Sequence, residues 1–139
     1  MRIWKIWVFR WLDRVGNWLA WLKSTEDNKE FICFYSWDQQ YLLEKKNFED
    51  IGDKGEVWFG ENAMNRMVRW LEKNVEDADS QIIDLGCGNG LMCLELHEAG
   101  FKNVCGVDYS ANAIELAKKL AQDSDLQEDQ VKFKVRHFY

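Results

Sequence analysis

The sequence predicts an α/β fold in which a parallel sheet of three strands is joined by helices. Three observations carry this. The apolar pattern changes near residue 81, from helical spacing to short continuous runs. A glycine-rich turn, Gly86-Cys87-Gly88-Asn89-Gly90, follows the first of those runs. Strand-like and helix-like segments then alternate with short links, which gives parallel strands with right-handed crossovers. The chain has 139 residues, enough for one ordinary domain. At 47% hydrophobic and 14% aromatic it can bury a real core, which excludes a disordered chain.

Residues 1–24 hold Trp4, Trp7, Trp11, Trp18 and Leu22 at the spacing of one helix face, which predicts an amphipathic helix. Five cations against Asp13 give this head a net charge of +4 within a chain of −6. Its charges exclude a transmembrane span, and the interrupted apolar stretch without a cleavage site argues against a signal peptide. Three readings stay open: an interfacial helix touching a membrane surface, a helix packing its Trp stripe on the body or a partner, and a gene-model artefact. Packing is favoured over membrane contact. Residues 24–30 are polar and read as a linker.

A helix is expected at 36–50, capped by Ser36, with Tyr41, Leu42, Leu43 and Phe48 apolar. A turn at 51–55 and a short aromatic segment containing Trp58 and Phe59 follow, then a helix at 61–76 with Met64, Met67, Val68 and Leu71 on one face. Residues 31–80 thus form a helical cap region, and 81–139 the α/β part. There, 81–85 is a buried strand pattern ending near Asp84. A helix over 91–99 ends at Gly100, and 104–108 is a second strand. Ser110 caps a helix over 111–122, a polar loop spans 123–130, and 131–135 is the third strand.

The acidic balance argues against a nucleic-acid binder. Cys33, Cys87, Cys93 and Cys105 form no C-x-x-C pair, and His97 and His137 are the only histidines, so no metal site is expected. Without a secretory signal the cysteines read as reduced thiols of an intracellular, cytoplasmic protein.

Chemistry concentrates at the glycine turn. Glycine allows a sharp bend and lets a ligand approach without a Cβ in the way, and the helix start that follows favours a negative group. The dinucleotide fingerprint wants its third glycine at position 91, which is Leu. Asp84, Gly86, Gly88 and Gly90 instead make the alternating pattern seen where the ligand is S-adenosylmethionine. Asp108 ends the second strand, 22 residues after Gly86, where an acid accepts hydrogen bonds from ribose hydroxyls.

Asp84-Leu85-Gly86-Cys87-Gly88-Asn89-Gly90 with Gly106-Val107-Asp108-Tyr109-Ser110 resembles a Rossmann-like class I (seven-strand) methyltransferase. Gly52-Asp53-Lys54-Gly55-Glu56-Val57-Trp58-Phe59-Gly60-Glu61, then Met64-Asn65-Arg66, with Ser36-Trp37-Asp38 and Tyr41 upstream, is similar to the elongation factor 1-alpha lysine methyltransferase 2 family. The resemblance runs from about residue 35 to 135. It implies S-adenosylmethionine as cofactor and a lysine of elongation factor 1-alpha as substrate. By resemblance, Gly86, Gly88 and Gly90 hold the methionine end, Asp84 supports that loop, and Asp108 holds the ribose. Tyr109 flanks the adenine, while Trp58 and Phe59 close over the cofactor. For these two aromatics, plain core packing is an equal alternative. No catalytic residue is assigned.

Two departures stand out. His137 falls where the family carries an adenine-contacting Asp. The family's fourth strand, which pairs with the first and carries the substrate-facing motif, is absent. Only the N-terminal part of the fold is therefore expected, with strands in the order 3-2-1 and the edge of 82–85 unpaired, as in a fragment, a truncated isoform or a misassembled gene model, inactive on elongation factor 1-alpha by itself. The competing readings are a dinucleotide-binding domain and a non-catalytic interaction protein retaining part of the fold.

Overall fold

The computed structural model describes residues 3–6 and 29–136. Its elements in chain order are β1 (Ile3–Ile6), α1 (Lys29–Ile51), α2 (Glu61–Asn74), β2 (Gln81–Leu85), α3 (Leu91–Glu98), β3 (Asn103–Asp108), α4 (Ala111–Asp123) and β4 (Val131–Val135). The four strands form one parallel sheet in the order β1-β2-β3-β4. The three strands expected from sequence are β2, β3 and β4, adjacent and parallel as the alternation required.

The expectation of a helix across residues 1–24 is corrected at 3–6, which are a strand. Ile3 pairs with Gln81 and Ile6 with Asp84. Two β-branched residues and a tryptophan suit a pleated strand. The edge of β2 presents backbone donors and acceptors that need partners. Tertiary pairing therefore overrides the helical spacing of the tryptophans. The unpaired edge expected at 82–85 is corrected by the same contact. The rest of the expected N-terminal helix, with most of the linker, lies outside the described residues, as does His137.

Helix α1 starts seven residues before the expected Ser36 cap. Neither Gly nor Pro interrupts 29–51, so nothing stops it earlier. Gly52, at φ 72°, ends it by donating its N–H to the Phe48 carbonyl at 2.9 Å. Helix α2 buries Met64, Val68 and Leu71 at helical spacing. The core gathers these with Ile82, Leu96, Val104, Leu116 and Leu120, all nearly inaccessible, and with Val131 and Phe133. Helix α4 is capped as expected: Ser110 Oγ accepts the Ala113 N–H at 3.1 Å.

Helix α1 docks along α4 through a polar seam. The Ser110 hydroxyl donates to Asp38 at 2.6 Å, and the Asn112 amide donates to Asp38 at 3.1 Å. Lys45 reaches Asn112 at 2.9 Å and Glu115 at 2.7 Å, and Lys119 pairs with Glu49. The cap is thereby fixed beside the carboxyl end of β3. No helix among the described residues is long and apolar enough to cross a membrane.

Candidate cofactor site

The carboxyl ends of β2 and β3 converge on the glycine turn. Gly86, Gly88 and Gly90 all have positive φ, at 79°, 55° and 76°, a region that favours glycine. The turn is stitched to β3 by backbone bonds: the Gly86 and Cys87 N–H groups donate to the Val107 carbonyl at 2.7 and 3.1 Å. The Gly88 N–H donates to Asp108 Oδ2 at 2.9 Å, and the Ser110 N–H donates to Oδ1 at 3.0 Å. Asp108, 5% exposed, thus braces the turn and the start of α4 at once.

The glycines do different work. A Cβ at Gly86 would meet nothing within 4 Å, so the space over it is open. A Cβ at Gly90 would stand 2.7 Å from the Phe133 ring and 2.8 Å from Ala117 Cβ. Gly106 is equally tight, with Phe133 at 2.8 Å and Cys87 Sγ at 2.9 Å. Gly86 faces room for a ligand, whereas Gly90 and Gly106 make room for the Phe133 ring. Asp84 is buried beneath the turn, and the Cys93 thiol approaches its Oδ2 at 3.7 Å. Complete burial, reinforced by the Asp84 charge, holds the Cys93 pKa well above its ordinary value and keeps it a thiol.

The 52–60 segment lies against this turn. The buried Asn89 amide donates to the Lys54 and Glu56 carbonyls at 3.3 and 3.2 Å. Trp58 and Phe59 are both half-buried. Trp58 meets Trp37 edge-on at 5.0 Å between ring centroids, and Trp37 stacks on Tyr41 at 6.1 Å. Tyr109, half-buried, follows Asp108 directly. The turn, Asp108 and the cap are joined by named hydrogen bonds. No group of three metal-ligating side chains occurs among the described residues.

Glu44 and Asn89 escaped the sequence reading. Glu44 sits on α1 seven residues after Trp37 and three after Tyr41, on the same helix face, and is 6% exposed. A charged residue on an aromatic face was the available signal. Asn89 gave none, since its partners are backbone carbonyls.

Residues 76–139 match the model of a methyltransferase domain. This is a class I methyltransferase domain, present in part. EEF1A lysine methyltransferase 2 of Homo sapiens is 41% identical over 102 residues, covering 73% of this chain and 42% of that protein. The protein-lysine N-methyltransferase efm4 of Schizosaccharomyces pombe is 41% identical over 111 residues, covering 70% and 46%. The chain therefore spans less than half the length of these relatives. The PH0226 protein of Pyrococcus horikoshii superposes with a TM-score of 0.49 at 23% identity, covering 66% of this chain and 42% of that one.

Proposed function

We propose that this chain carries the cofactor-binding half of a cytoplasmic S-adenosylmethionine-dependent protein-lysine methyltransferase whose substrate is elongation factor 1-alpha. The observation that carries the cofactor reading is the Gly88 N–H to Asp108 bond beside the open space over Gly86. An acid fixed at that strand end accepts ribose hydroxyls, and a turn without a Cβ admits the amino-acid end. Bound there, S-adenosylmethionine supplies an electrophilic methyl group on a sulfonium. The chain's own residues bind, orient and exclude water. Asp108 fixes the ribose through a carboxylate already locked by two backbone donors. Tyr109 flanks the adenine beside it. The Trp37–Trp58 pair and Phe59 close the cap side and keep water from the reacting centre. The substrate assignment rests on the printed names of the relatives.

Calorimetric titration of residues 1–139 with S-adenosylhomocysteine tests this. Asp108→Ala should weaken binding by about 1.5–3 kcal/mol for each hydrogen bond lost to the charged acceptor. NADH, the ligand of the dinucleotide reading, should not bind. Binding of NADH in preference, or unchanged affinity in the variant, overturns the assignment.

A further inference from the structure

Glu44 carries a buried oxygen that the fold does not use. Its Oε1 accepts the Gln40 amide at 3.3 Å, while its Oε2 is buried without a hydrogen-bond partner. The Trp58 indole N–H lies beside the carboxyl and favours its charge, though neither it nor Oε2 completes a hydrogen bond. Oε2 points into the seam between the 52–60 segment and the glycine turn. It would stand 2.6 Å from a Cβ at Gly55, and the Asn89 amide nitrogen would stand 3.4 Å from that same point. Gly55 thus packs directly against Oε2, and a side chain there would displace the carboxylate.

The surroundings select a cation. Glu56 and Asp53 add negative charge at Glu44. Burial is the larger influence on its pKa and raises it, the sign of a carboxylate without adequate compensation. Lys45 and Lys54 are turned to other partners: Lys45 to Asn112 and Glu115, Lys54 to Asp123 at 3.8 Å. An unpaired buried acceptor is costly, and a charged donor removes that cost. The loop over it is tied to the turn by the two Asn89 bonds, both at the long end of the range.

We infer that Glu44 receives the ammonium of an α-amino-acid group bound at the glycine turn, the amino-acid end of the cofactor. The inference rests on the cofactor reading above and adds a binding residue to it. The test uses two ligands that share the sulfur-linked nucleoside: S-adenosylhomocysteine, which has the ammonium, and 5′-methylthioadenosine, which lacks the amino-acid end. Calorimetry on residues 1–139 and on Glu44→Gln gives four affinities. Glu44→Gln should weaken S-adenosylhomocysteine roughly ten- to a hundredfold, the loss of one charged hydrogen bond. It should leave 5′-methylthioadenosine within about twofold, which also shows that the variant is folded. Glu44→Asp, which keeps the charge on a shorter reach, should fall between. Unchanged affinity for S-adenosylhomocysteine, or an equal loss for both ligands, overturns the inference and makes Glu44 a support for the loop alone. Failure of the parent chain to bind either ligand overturns the cofactor reading instead.

Discussion

Replacing Gly90 by alanine should cost far more stability than replacing Gly86, although both sit in one turn at nearly the same backbone angle. Both have φ close to 80°, so any Cβ incurs the left-handed penalty of about 1–2 kcal/mol. At Gly86 the added methyl meets open space, and that penalty is the whole cost. At Gly90 it meets the Phe133 ring at 2.7 Å and Ala117 at 2.8 Å. Neither neighbour can yield easily. Ala117 is fully buried on α4, and Phe133 is also packed against Gly106, where a Cβ would likewise come within 2.8 Å. Overpacking of this kind adds about 1–3 kcal/mol, giving roughly 2–5 kcal/mol for Gly90→Ala. Urea denaturation of the two variants beside the parent measures the difference, and S-adenosylhomocysteine titration of each reads the other half of the argument. Gly86→Ala should hold most of its stability and lose affinity. Equal destabilisation in the two variants, or a cost below about 1 kcal/mol at Gly90, would refute the division into a ligand-facing and a packing glycine.

Ser110→Ala removes both the cap on Ala113 and the bond to Asp38, so it should cost about 1–2 kcal/mol, and a double-mutant cycle with Asp38→Ala should show coupling above about 0.5 kcal/mol. Additive effects would place the α1–α4 seam elsewhere. Glu44 has a folded pKa raised above 4.5, so the folded chain holds that proton longer than the unfolded one. Its contribution to stability should decline as pH rises from 4.5 through the raised value, and urea midpoints across that window should slope less in Glu44→Gln. Matching slopes would remove Glu44 as the source. Deleting residues 1–8 exposes the β2 edge that β1 covers, and sedimentation should then show self-association. A monomer unchanged by the deletion would show that β1 is not needed to guard it.

The α/β part was legible because each of its elements is a local pattern. Residues 81–85 and 104–108 are short apolar runs, 131–135 alternates apolar residues with lysines, and Ser110 and Gly100 mark helix ends by their own chemistry. What was not legible depends on distant partners. Residues 3–6 carry a helical tryptophan spacing, and only the neighbouring edge of β2 makes them a strand. The three glycines look alike in sequence, yet Phe133, more than forty residues away, sets Gly90 apart from Gly86. Asp108 was readable as an acid at a strand end, but its grip on the Gly88 N–H depends on how β2 and β3 align.

The seam between α1 and α4 also orders events in time. Its bonds join residues 67 to 74 positions apart, from Lys45–Asn112 to Asp38–Asn112. The crossovers of β2, α3 and β3 close over much shorter stretches, so their loop-closure cost is smaller. On the ribosome, Asp38 emerges long before Ser110 exists to meet it. The aromatic side of the site must wait for the other, and tryptophan fluorescence from Trp37 and Trp58 should reach its native value after β2, β3 and β4 have paired. A ligand present during synthesis would therefore meet the glycine turn and Asp108 first, with the cap closing on it last.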